Sequence, residues 1–142
     1  MGGLTHDLCE FLDANHVGVL STIAGDGKPR QSVVYYAREE ERLLISTLSQ
    51  RHKARDVERT GWASLCVLGH EQPYPSAVFS GSAEILTKDI GPPTASVMQN
   101  IAGLPEAPDP QTDEALAAID RVVLAIEVER VSAVSHLPAA AA

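Results

Sequence analysis

Four of the 11 basic residues in this 142-residue chain fall within nine positions, at Arg51, Lys53, Arg55 and Arg59. The run is Ser49-Gln50-Arg51-His52-Lys53-Ala54-Arg55-Asp56-Val57-Glu58-Arg59, in a chain whose formal charge is -8. It joins an apolar strand pattern to a short helical one. Basic side chains at such a junction suit a fixed anionic group, because a helix N-terminus adds unpaired N–H donors and partial positive charge. Arginine offers a bidentate fork to phosphate or carboxylate, and lysine a compact point charge. The same residues also read as a solvated helix face with Asp56 and Glu58 as local partners. Composition alone leaves the two readings even.

Other chemistry is scarce. The five histidines, His6, His16, His52, His70 and His136, share no metal-ligand spacing, and no HExxH or CxxC occurs. Ser80-Gly81-Ser82 resembles a nucleophile elbow only loosely and lies in a strand pattern. There is no P-loop and no GxGxxG. Asp26 and Glu84 are lone carboxylates that read as turn and solvent-face residues. An anion site without a catalytic constellation suits a cofactor that carries its own chemistry.

Several elements must position that site. Residues 5–14 predict an amphipathic helix with Thr5 as N-cap and Leu8, Phe11 and Leu12 on one face. A strand over 16–24, the turn Gly25-Asp26-Gly27 and a strand over 31–37 predict a hairpin. Residues 38–42 read as a polar turn and 43–48 as a third strand. The basic helix follows over 51–59, with Ser49 as N-cap and Thr60-Gly61 as its stop. Strands are expected at 62–68 and 76–86, where Gly81 signals a bulge or a close backbone approach. Helices are expected near 93–102 and 111–119, with a proline-rich rim at 103–110. Residues 122–134 read as one long last strand.

That makes six or so mostly antiparallel strands with short helices. Several strands are apolar in both phases, so both faces must be covered. A split β-barrel that dimerises fits better than an open or doubly wound sheet. Residues 1–136 form a single domain and 137–142 a disordered tail. Aromatic residues are only 4% and the balance is acidic, which argues against nucleic-acid binding. Cys9 and Cys66 form no motif and read as packed thiols. The N-terminus lacks the pattern of a signal peptide and no apolar run approaches a membrane span. A cytoplasmic protein is expected.

The string Gly18-Val19-Leu20-Ser21-Thr22-Ile23, the turn Asp26-Gly27-Lys28-Pro29 and the triplet Arg51-x-Lys53-x-Arg55 before a strand resemble the split-barrel flavin and deazaflavin oxidoreductases. These belong to the pyridoxamine-phosphate-oxidase-like superfamily. Over about residues 5–135 the chain is most similar to the actinobacterial branch that binds the deazaflavin coenzyme F-420, and Asn100-Ile101-Ala102-Gly103 resembles a stretch of it. The resemblance implies a homodimer with a cofactor site at each end of the subunit interface. By matching positions, Arg51 and Lys53 bind the cofactor phosphate, with Ser49 and Arg55 as further candidates and Thr47 donating a hydroxyl. Ser32, Val33 and Val34 run along the ring system. Tyr74, Ser76 and Val78 of the second subunit close the pocket. Arg55 and Arg59 are candidates for a charged tail on the coenzyme, such as oligoglutamate. One position departs from the family pattern, which has Asn then Leu after the triplet; here the pair is Asp56-Val57. A carboxylate cannot donate as an amide does, and Arg59 or Lys53 are its candidate partners.

The implied activity is hydride transfer from reduced F-420 to an unsaturated small-molecule acceptor. The same barrel also accommodates an FMN-binding oxidase or reductase, or a non-enzymatic deazaflavin carrier or sensor.

Overall fold

Helix α1 (His6–Ala14) starts where the sequence predicts, with the Thr5 hydroxyl oxygen accepting from the Leu8 amide at 3.2 Å. The computed structural model describes residues 3–137. Leu8, Phe11 and Leu12 are the buried face of α1. Strands β1 (Val17–Ile23) and β2 (Pro29–Tyr35) form the expected hairpin, with Val17 opposite Tyr35 and Ile23 opposite Pro29. The Asp26 carboxylate accepts from the Lys28 amide at 3.0 Å and closes the turn.

The polar segment after it is not merely a turn. β2 ends at Tyr35, and a short β3 (Ala37–Glu39) pairs with β4 (Arg42–Leu48) around Glu40, whose φ is 57°. The break falls at Tyr36. Its amide donates to the His16 carbonyl at 3.0 Å and its buried hydroxyl to the Leu12 carbonyl at 2.6 Å. These bonds pin the residue inward while the chain changes partner strand.

Helix α2 (His52–Thr60) ends at Gly61 in a left-handed conformation, φ 68°, with the Gly61 amide donating to the Val57 carbonyl at 2.8 Å. Strands β5 (Trp62–Leu68) and β6 (Ser76–Leu86) keep their predicted bounds. Helices α3 (Gly91–Ala102) and α4 (Asp113–Ala118) follow. The Asp113 carboxylate accepts from the Asp89 and Ile90 amides, at 2.8 and 3.1 Å, where α3 begins.

The expected single last strand is two, β7 (Arg121–Glu127) and β8 (Arg130–Ser135), so the described residues hold eight strands rather than six. The long β6 pairs with β8 along its first half and with β7 along its second. At the changeover the chain crosses Gly81, where a Cβ would lie 1.9 Å from the Glu127 carbonyl oxygen. Only glycine admits that approach. The Val128 amide donates to Glu41 and the Glu129 amide to Ser80, so the crossing chain keeps its backbone partners. Apolar residues recur on both sides of Glu127, Glu129 and Arg130, so the β-like pattern of 122–134 conceals this switch.

All pairings are antiparallel, in the order β2-β1-β5-β6-β7-β4-β3 with β8 on β6, the curled sheet of a split barrel. Leu20, Leu43, Ile45, Leu65, Phe79, Leu124 and Ile126 fill its interior together with Leu12. A second core lies outside, where Ile90 and Val97 of the α3 region and Leu116 of α4 meet Leu44 and Val123. Leu43 and Leu44 therefore serve opposite cores, and the two-phase apolar pattern follows from helices on the sheet's outer face. Leu137, assigned by sequence to the tail, is half-buried against the inner core; 138–142 lie outside the described residues. No helix among the described residues is long and apolar enough to cross a membrane.

Candidate functional site

β4 delivers the chain to the site. The Arg51 amide donates to the Leu48 carbonyl at 3.0 Å and the Ser49 amide to the Asp120 carbonyl at 2.8 Å, so α2 begins beside the junction of β4 and β7. Arg51, not Ser49, occupies the N-cap position, and no side chain caps α2. The expectation for Ser49 fails because the turn places it two residues too early; its hydroxyl faces the Gln50 side chain at 3.4 Å. The first amides of α2 consequently have no side-chain acceptor and keep their positive end open.

A cleft of about 250 Å³ opens at this point. Val33, Val34 and Tyr35 of β2 and Val97 and Ile101 of α3 form apolar walls, and Ser46, Thr47 and Leu48 the strand between. Arg51, Lys53 and Arg121 supply charge, and among the described residues no carboxylate lines the cleft. Lys53 is half-buried; burial, and then the Arg51 charge, lower its pKa from the ordinary lysine value. An anion entering here would meet guanidinium, ammonium and helix-end donors in a chain that is otherwise acidic.

Of the residues expected from sequence, Arg51, Lys53, Thr47, Val33 and Val34 meet in this cleft. Ser32, Ser49 and Arg55 do not line it, and neither do Tyr74, Ser76 and Val78. Ser32 is half-buried, opposite Leu20 in the β1–β2 register. Arg55 is exposed further along α2. Tyr74, 46% exposed, sits in the loop before β6, which carries Ser76 and Val78. Tyr35 and Tyr36 separate as strand alternation requires, Tyr35 lining the cleft and Tyr36 buried in the core.

Asp56 sits behind the cleft rather than in it. Its side chain is only 3% exposed, and it accepts from Arg30 Nε and Thr22 Oγ1, each at 2.8 Å, and from Arg59 at 3.3 Å. Lys53 is not among its partners. Burial works to raise the Asp56 pKa, but the hydrogen bonds from Arg30 and Thr22, the Arg30 charge and the Arg59 contact prevail and hold it below the usual aspartate value. Arg59 also donates to the Ile23 carbonyl. Its guanidinium therefore fastens α2 to the β1–β2 hairpin instead of standing free for a ligand tail.

Sequence reasoning missed Arg121, Ser46, Val97 and Ile101. Arg121 lies 62 residues beyond Arg59 in sequence and joins the basic triplet only because it pairs with Leu48, the last residue of β4. Val97 and Ile101 share one face of α3 at i, i+4 spacing, a detectable signal, but nothing local says which sheet face they meet.

A sequence profile described as pyridoxamine 5'-phosphate oxidase matches residues 4–135. The chain belongs to this family. Solved structures share its fold. A conserved hypothetical protein from Mycobacterium tuberculosis is 23% identical, with a TM-score of 0.71 over 92% of this chain and 84% of that one. An F420 reductase is 22% identical, with a TM-score of 0.69 over 87% and 94%. An FAD-binding protein from Mesorhizobium loti is 24% identical, with a TM-score of 0.65 over 87% and 88%. At these identities the likeness is one of fold.

Proposed function

We propose that this chain binds the deazaflavin coenzyme F-420 in the cleft between β2, β4 and α3 and is an oxidoreductase acting on an unsaturated small molecule. The observation that carries the reading is the lining itself: Arg51, Lys53 and Arg121 together with apolar Val33, Val34, Val97 and Ile101, and no carboxylate among the described residues. Arg51 and Lys53 would hold the phosphate, helped by the uncapped start of α2. Thr47 would offer its hydroxyl from β4. Val33 and Val34 would pack along the ring system, with Ser32 beside them on β2. Ser49 and Arg55 would act from outside the cleft, near the start of α2 and along it.

The bound coenzyme supplies the hydride; the chain supplies binding, orientation and exclusion of water. About 250 Å³ is small for such a ligand, since cofactor clefts run from roughly 300 to 1,000 Å³. Val33 at the rim is 72% exposed. A homodimer in which a second copy brings Tyr74, Ser76 and Val78 over the ring would complete the site.

FMN is the second reading, because its phosphate would use the same cations. The test is to titrate the protein separately with F-420 and with FMN, following fluorescence. Micromolar binding of F-420 and reduction of an unsaturated acceptor are expected. Binding of FMN alone would overturn the deazaflavin assignment. A tight F-420 complex that reduces nothing in a broad acceptor panel would make the protein a carrier.

A further inference from the structure

Of the eight arginines, four take carboxylate partners: Arg30 and Arg59 share Asp56, Arg38 bonds Asp13, and Arg42 bonds Glu39. Among the described residues no carboxylate pairs with Arg51, Arg55, Arg121 or Arg130. Arg55 and Arg130 are exposed, where water solvates them. Arg121 is different. It is half-buried, its one side-chain hydrogen bond among the described residues is to Ser46 Oγ at a long 3.4 Å, and it shares a cleft with Arg51 and Lys53. A half-buried guanidinium with so little compensation is costly unless an anion completes it.

The location is specific. Leu48 faces Arg121 across the β4–β7 register, and the Leu48 carbonyl accepts from the Arg51 amide. Arg121 therefore approaches from the sheet the same strand end that Arg51 and Lys53 approach from the helix. We propose that Arg121, steered by Ser46, is a ligand-contacting residue that completes the anion site from the sheet side and makes the cleft select phosphorylated ligands over their dephosphorylated counterparts. This rests on the cofactor reading above and adds a third cation from another element. With Arg51 and Lys53, its fork can engage oxygens of the phosphate that two helix-side cations leave uncovered.

The test uses the full-length protein and two pairs of probes: F-420 with its phosphate-free deazaflavin core, and FMN with riboflavin. Affinities are measured for wild type, Arg121→Gln, Arg121→Lys and Lys53→Ala, with circular dichroism and thermal melts as fold controls. Arg121→Gln is expected to weaken whichever phosphorylated ligand the wild type binds by about 10- to 100-fold and to leave its phosphate-free counterpart unchanged. Arg121→Lys, which keeps the charge and loses the fork, is expected to recover part of that loss. If Lys53→Ala loses the phosphate preference and Arg121→Gln keeps it, the role of Arg121 is overturned while the cofactor reading stands. If neither substitution changes the preference, or the wild type binds none of the four probes, the cofactor reading falls and the inference with it. An equal loss for both members of a pair in Arg121→Gln would make the residue structural.

Discussion

Arg30 Nε donates to Asp56 Oδ2 across 2.8 Å, tying the edge strand β2 to the helix that carries Arg51 and Lys53. Thr22 of β1 and Arg59 of α2 bond the same carboxylate. Asp56 is thus a buried junction of three elements. An asparagine has one acceptor oxygen and two donors, and could not receive three donors in this way. The charge of Asp56 is answered by the charge of Arg30.

Asp56→Ala should cost about 2–3 kcal/mol in urea unfolding, because it strands the buried Thr22 hydroxyl and unpairs two guanidinium groups. The cost stays below that of a fully buried ion pair, since Arg30 and Arg59 are 37% and 45% exposed and can regain water. Asp56→Asn keeps one acceptor and should cost about 1 kcal/mol. Wild-type stability in Asp56→Ala would mean that the junction holds nothing in place.

The same carboxylate sets an acid dependence. Its folded pKa is depressed, so its contribution is fully present above the unfolded aspartate value of about 4 and is lost as pH falls through the folded one. The stability gap between wild type and Asp56→Asn should hold steady from pH 7 to about 5 and narrow below about 4. Chemical unfolding at a series of pH values measures it; a gap that widens in acid would mean that folding raises the Asp56 pKa instead of lowering it.

How much of this was legible in the sequence depended on whether the signal was local. Thr5, the Asp26 turn and the Gly61 stop are local, and they placed α1, the first hairpin and the end of α2. The phosphate candidates Arg51 and Lys53 were legible for the same reason, as neighbours in one segment. Gly81 signalled a close approach, but not that residues 127–129 were the chain approaching, so one strand was read where two exist. Arg121 and the Asp56–Arg30 pair depend on contacts 26 or more residues apart, created only when β4 meets β7 and α2 meets the hairpin. Side-chain type gives no hint of such partners. Tyr74, Ser76 and Val78 lie off the cleft of their own chain, and their proposed role requires a second copy.

Lys53 should show a conflict between binding and stability. Its folded pKa is lowered, so protonation favours the unfolded chain. That penalty is present below the folded value and fades as pH rises through it toward the unfolded one. Lys53→Met should therefore raise the melting temperature of the ligand-free protein at pH 7 while abolishing tight binding of the phosphorylated cofactor. A lower melting temperature in the ligand-free variant would show that Lys53 supports the fold and would weaken its assignment to the ligand.

Gly81→Ala should be among the most damaging single-methyl additions in the chain. Its Cβ would fall 1.9 Å from the Glu127 oxygen and 2.9 Å from the Glu129 nitrogen, both backbone atoms that cannot rotate aside. Relief requires β7 and β8 to move off β6 at the point where the chain passes from one half of the barrel to the other. A cost of about 2–3 kcal/mol is expected, lowering the melting temperature by roughly 4–12 °C for a chain of this size. Gly25→Ala is the matching control, because nothing lies within 4 Å of its Cβ position and its conformation needs no glycine. Thermal melts of the two variants should separate clearly; similar melts would mean that the strand crossing yields to an added methyl and that Gly81 does not fix the change of partner.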